Sequence, residues 1–99
     1  MRTVDFYLDE ARKRGGFTSD RSMDKGLGLT PGAVCSYRIK RAWPSDETII
    51  KLAKIAGISP EAALLDLNVW RSTGSATVYY QLLIEQREKL HTQELTAAE

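Results

Sequence analysis

Residues 19–44, SDRSMDKGLGLTPGAVCSYRIKRAWP, constrain the fold more than any other stretch of this chain. Met23 and Leu27 lie four apart, on one face of a helix expected over residues 20–27. Gly28 permits the positive φ that a sharp turn between helices needs. Leu29 is expected to point back into the core. Thr30 is a good N-cap, and Pro31 then falls at the first helical position, where a missing N–H costs nothing. Val34 and Tyr37, three apart, continue the buried face of a second helix, and Arg38, Lys40 and Arg41 crowd its far end. The spacing of Met23, Leu27, Gly28, Leu29, Val34 and Tyr37 is that of a helix-turn-helix, a unit whose second helix enters the DNA major groove.

The rest of the chain can supply a frame for such a unit. Ninety-nine residues suffice for one domain with a small core, and 42% apolar and 27% charged residues are ordinary for a globular chain. No apolar run is long enough to span a membrane. Asp5, Asp9 and Glu10 break up any signal-peptide pattern at the start, and the single cysteine, Cys35, has no intrachain partner. A reducing, cytoplasmic setting is therefore expected. Net charge is only +1, but residues 1–44 carry +4 and residues 45–99 carry −3. A basic front half suits a protein that faces phosphate on one side, and chance asymmetry in a short chain is the alternative.

The pattern predicts helices throughout. Residues 3–14 form the first, capped by Thr3, with Val4, Leu8 and Ala11 as its apolar stripe and Tyr7 beside them. Phe6 lies off that stripe. Arg12, Lys13 and Arg14 end it before Gly15-Gly16, where they either favour the helix C-terminus or touch phosphate. Phe17 plugs the core, and Ser19 caps the second helix. After the break at Ala42-Trp43-Pro44, Ser45 caps a fourth helix with Ile49, Leu52, Ala53 and Ala56 on its core face, widened by Ile50 and Ile55. Gly57 ends it and Ile58 packs behind. Ser59 and Pro60 open a fifth helix, whose apolar residues from Ala62 to Trp70 are too many for one face, so it is expected to be nearly surrounded. Ser72-Thr73-Gly74-Ser75 reads as a linker. A sixth helix follows over residues 76–91, with Tyr79, Leu82, Leu83, Gln86 and Leu90 along one side and a polar, fraying tail behind it. Val78, Tyr80 and Ile84 extend apolar surface around its first half. The expected division is residues 1–71 as a DNA-binding domain, 72–77 as linker and 78–99 as C-terminal helix and tail.

Several residue pairs stand in one register: Ser19-Asp20, Met23-Asp24, Leu27-Gly28, then Thr30, Pro44-Ser45 and Leu52-Ala53. Over about residues 4–67 the chain thereby resembles the lambda-repressor-like, or XRE-type (Cro/CI), helix-turn-helix regulators, and is similar to small repressors of phages and prophages. The resemblance implies an all-α, five-helix DNA-binding domain, here with one helix added. It also implies repression. Three positions depart from the pattern. Asp20 stands where many relatives have a glutamine that braces the third helix and touches phosphate, so it is expected to cap or orient instead. Asp24 replaces a small residue, and its carboxylate is expected to turn outward or to meet Lys25 or Arg21. Arg38 replaces a common glutamate.

The DNA-facing set expected from this reading is Arg21, Thr30, Pro31, Gly32, Cys35, Ser36, Lys40 and Arg41. The groove-facing members are small, and none can fork onto guanine or adenine as arginine or glutamine does. Close backbone approach, thymine-methyl contact, DNA shape and the long Lys40 and Arg41 are left to supply specificity. Cys35 reads as a groove-facing small residue, a partly buried thiol or a redox sensor. Trp43 and Trp70 read as core packing, with Trp70 alternatively part of an interface with the last helix. That helix either folds back on the fifth or dimerises through Tyr79, Leu82, Leu83, Gln86 and Leu90, and the two readings are compatible. A dimer reads two half-sites about one helical turn apart, as a palindromic operator provides. No catalytic constellation, metal site, cofactor or small-molecule ligand is expected. His91 lacks companion ligands, and the phosphate-loop consensus is absent. Two rival readings are an antitoxin that grips its toxin through the last helix and acidic back half, and a protein-interaction module that has kept the fold without binding DNA.

Overall fold

Local capping decides where most helices begin. The computed structural model describes residues 2–72 and 74–97, with side chains as far as residue 90. Among the described residues there are six helices and no strand, so the expected all-α class holds. In α1 (Val4–Arg14) the Phe6 N–H donates to Thr3 Oγ1, and α2 (Asp20–Gly26) opens on a reciprocal capping box between Ser19 and Ser22. Ser45 caps α4 (Asp46–Ala56), Gly57 ends it in the left-handed region, and Ser59 with Pro60 starts α5 (Pro60–Arg71). These starts and the α4 stop agree with the sequence pattern.

One start differs. The third helix, α3 (Ala33–Arg38), begins two residues later than the Thr30 cap predicts, and Pro31 lies in the preceding turn rather than in the helix. Gly32 is the N-cap, held at φ 86, and no side chain from its own turn caps it. The reason is tertiary and concerns Asp24, described below. The two short helices are joined by a tight turn, with Gly28 at φ 69.

Helix α1 packs on α4 and α3, α4 on α5, α5 on α6 (Ser75–Ala97), and α2 on α3. Their shared core is built from Tyr7, Leu8 and Ala11 of α1, Met23 of α2, Val34 and Tyr37 of α3, Ile49 and Leu52 of α4, and Ala63 and Leu67 of α5. Phe17, Leu29, Ile50, Ile55 and Ile58 are half-buried around it, as expected. Trp43 stacks on Trp70 with ring centres 5.9 Å apart, and Trp70 meets the edge of Tyr7 at 5.6 Å while donating its indole N–H to the Arg2 carbonyl. Both tryptophans therefore pack within the chain. Helix α5 is surrounded on most sides, but its buried face includes a charged residue, Asp66, among the apolar ones.

Helix α6 starts at Ser75 and its backbone stays helical to Ala97, longer at both ends than the expected 76–91. The expected tail therefore continues the helix as far as Ala97. Thr73 of the expected linker and residues 98–99 of the tail lie outside the described residues. Ile84 is the buried residue of α6 and Tyr80 is half-buried, whereas Tyr79, Leu82, Leu83, Gln86 and Leu90 are exposed.

Candidate nucleic-acid interface

The α2–α3 unit is tied together by a buried carboxylate. Asp24 is 5% exposed, and it accepts hydrogen bonds from the Gly32 N–H (2.9 Å, Oδ2) and the Val34 N–H (2.9 Å, Oδ1). A carboxylate on α2 thus does for α3 what an N-cap side chain does locally: it satisfies free N–H groups of the first turn and places negative charge at the positive end of the helix. This corrects the expectation that Asp24 turns outward or pairs with Lys25 or Arg21. It also explains why Thr30 is not needed as a cap.

The other end of α3 is held by Arg38. Its guanidinium forms a fork on Asp20, with Nε–Oδ2 at 2.7 Å and Nη2–Oδ1 at 3.1 Å, and reaches Asp9 at 2.9 Å and Asp5 at 3.6 Å. The bond to Asp20, opposed by partial burial and helped by Asp9, raises the guanidinium pKa further. Arg12 also approaches Asp20, at 3.6 Å. Asp20 therefore orients α3, as expected of an acid at that position, and Arg38 serves the fold rather than offering a free cation. Lys40 follows the helix in the left-handed region at φ 62 and donates to Asp5 Oδ2 (2.8 Å) and to the Arg38 carbonyl (3.1 Å). Its charge is therefore partly answered by α1.

The Asp20–Arg38 fork brings the first turn of α2 beside the last turn of α3. Arg21 follows Asp20, and the Arg41 N–H folds back onto the Ser36 carbonyl at 2.9 Å. Arg21, Lys25 and Arg41 are exposed and have no ion-pair partner among the described residues. Thr30, Pro31, Gly32 and Cys35 are exposed and Ser36 is half-exposed, so the eight residues expected to face DNA all reach the surface of this unit or its edges. Exposure of Cys35 removes the buried-thiol reading. Ile39, which the sequence pattern does not single out, is 57% exposed at the end of α3.

Away from this face, Tyr7 Oη donates to Asp66 Oδ2 at 2.5 Å, with Arg2 4.0 Å from the same oxygen. Burial, then the hydrogen bond to Asp66, raises the Tyr7 pKa, and burial raises that of Asp66 against the hydrogen bond from Tyr7. Burial likewise raises Tyr37. An open cleft of about 640 Å³ runs between α6 and the α4–α5 turn, with Asp66 among its lining residues. Among the described residues no group of His, Cys, Asp and Glu is placed to hold a metal ion, and no helix is long and apolar enough to cross a membrane. No family model, curated protein or solved structure matches the chain.

Proposed function

We propose that this chain is a sequence-specific double-stranded-DNA-binding regulator with a lambda-repressor-like helix-turn-helix, cytoplasmic and not an enzyme, that acts as a homodimer on a palindromic operator. One observation carries the reading. The outer side of α3 is short side chains and bare backbone, bordered by Arg21, Lys25 and Arg41, which have no acidic partner among the described residues. Cations of this kind neutralise phosphates and supply salt-dependent affinity, while the helix edge between them approaches the bases. Ser36 offers a single hydrogen bond, and Pro31, Cys35 and Ile39 offer apolar contact to thymine methyls. Repression by occupying the operator follows the resemblance to phage-type repressors.

A randomised duplex library, selected on the purified protein at about 50 and 200 mM salt and sequenced, tests the reading over a range where phosphate-driven binding weakens strongly. Recovery of a palindrome with half-sites about one helical turn apart is expected. Retention of no duplex at either salt overturns it. That result favours a protein-interaction module or antitoxin, readings supported by the Arg38 and Lys40 charges answered within the fold and by the exposed apolar residues of α6.

A further inference from the structure

Helix α3 ends in a turn that ordinarily calls for glycine. The Arg41 N–H donates to the Ser36 carbonyl at 2.9 Å and the Lys40 N–H to the Tyr37 carbonyl at 3.2 Å. These are the bonds of a Schellman motif, with Ile39 as the C-cap and Lys40 at the left-handed position after it. At φ 62, Lys40 is the one residue other than glycine with a positive φ among the described residues. A side chain there strains the backbone, and glycine would not. The side chain that is carried is held on α1: the ammonium donates to Asp5 Oδ2 at 2.8 Å and to the Arg38 carbonyl at 3.1 Å. Asp5 also lies 3.6 Å from the Arg38 guanidinium, so one carboxylate faces two cations at the end of α3. The Asp5 and Lys40 side chains are 44% and 43% exposed, so their pair is open to a competitor from solvent.

The geometry points to Asp5 as an intramolecular competitor of DNA: its carboxylate takes, on Lys40, the place of a backbone phosphate oxygen. The inference deepens the regulator reading and rests on it for the ligand that is kept off. A lysine ammonium is a point charge on a flexible stem and binds a carboxylate or a phosphate in the same way, so docking on phosphate means leaving Asp5. While Lys40 stays on Asp5 its charge is answered within the chain and displaces no counterion from DNA. The acid also repels phosphate directly. Asp5 thereby holds affinity for any duplex below what the cations of this face allow, and α1 acts as a brake on the end of α3. Asp9, one turn further along α1, carries the same charge but pairs with Arg38 at 2.9 Å, which Asp20 also holds. It separates a general effect of negative charge from the tie to Lys40.

Titration of the full chain with a random-sequence duplex pool, between about 50 and 200 mM salt, tests this. Asp5→Asn should tighten binding about threefold at the lower salt, the fold-change of one exposed ion pair, and steepen the slope of log affinity against log salt by up to about one. Asp9→Asn should gain less. In a Lys40→Gly background, which the left-handed backbone accepts, the gain from Asp5→Asn should shrink to that from Asp9→Asn. A damaged fold weakens binding, so the sign of the change separates competition from lost stability. A gain from Asp5→Asn no larger than that from Asp9→Asn, or one undiminished by Lys40→Gly, overturns the inference and leaves the regulator reading standing. Without DNA, Asp5→Asn should move the Lys40 ε-methylene resonances. If they stay in place, the inference falls whatever the duplexes do. If they move but neither the wild type nor any variant binds a duplex, the regulator reading fails and the competition with it.

Discussion

Replacing Asp24 by alanine removes both hydrogen bonds that start α3 and strands the Gly32 and Val34 N–H groups in a buried site. Hydrogen bonds to a charged group and the cost of unsatisfied donors put the loss at about 3 kcal/mol. In a domain of this size that lowers the melting temperature by roughly 15 °C. Asp24→Asn should fall between, since the amide keeps one acceptor but turns an N–H₂ toward a donor. A second residue-scale effect concerns Tyr7. Its folded pKa is raised above 10.0, so above that pH the unfolded chain releases a proton that the folded chain keeps. Stability due to this group is complete below pH 10 and is lost as pH rises beyond it, at up to about 1.4 kcal/mol per pH unit. Urea midpoints measured between pH 9 and 11 should fall less steeply for Tyr7→Phe than for the wild type. Equal slopes would contradict the burial argument.

At the scale of the element, the helix ends divide by what caps them. Ser19, Ser45, Ser59 and Gly57 act within their own turns, and their roles are legible in the sequence because the partner is three or four residues away. Ser19→Ala should cost about 1 kcal/mol in a urea titration, the usual value of an N-cap. The start of α3 was not legible in this way. Its cap comes from Asp24, eight and ten residues back, and the one hint was that Asp24 stands where the resembled regulators have a small residue, so that its carboxylate had to turn outward or find a donor. The acids around Arg38 were hidden for the same reason. In the sequence Asp5 and Asp9 stand out only as charges that break up a signal-peptide pattern, yet folding brings both to the guanidinium of Arg38. Removing the cation leaves Asp5, Asp9 and Asp20 without the charge that gathers them. Arg38→Ala should therefore destabilise by about 1–2 kcal/mol at low salt, a figure already reduced for the exposure of Asp9. The gap between variant and wild type should narrow as salt is raised, because screening weakens the partly exposed pairs first.

Across the whole molecule, the charge asymmetry seen in the sequence resolves into cations spent on the fold and cations left at the surface. Arg12, Arg14, Arg38 and Lys40 are answered by acids of α1 and α2, whereas Arg21, Lys25 and Arg41 have no such partner among the described residues. If the chain binds DNA as proposed, Arg21→Ala and Arg41→Ala should each reduce the slope of log affinity against log salt by about one. Lys40→Ala should reduce it less, because Asp5 already competes for that charge. Equal effects at all three positions would show that the tie to Asp5 does not survive binding. The bond between α2 and α3 has one more implication, for the history such a protein can have. Asp24 grips backbone N–H groups, so the outward side chains at Pro31, Cys35 and Ser36 take no part in holding α3 in place. They can be exchanged with little loss of stability, leaving a lineage built on this fold free to change that surface one substitution at a time.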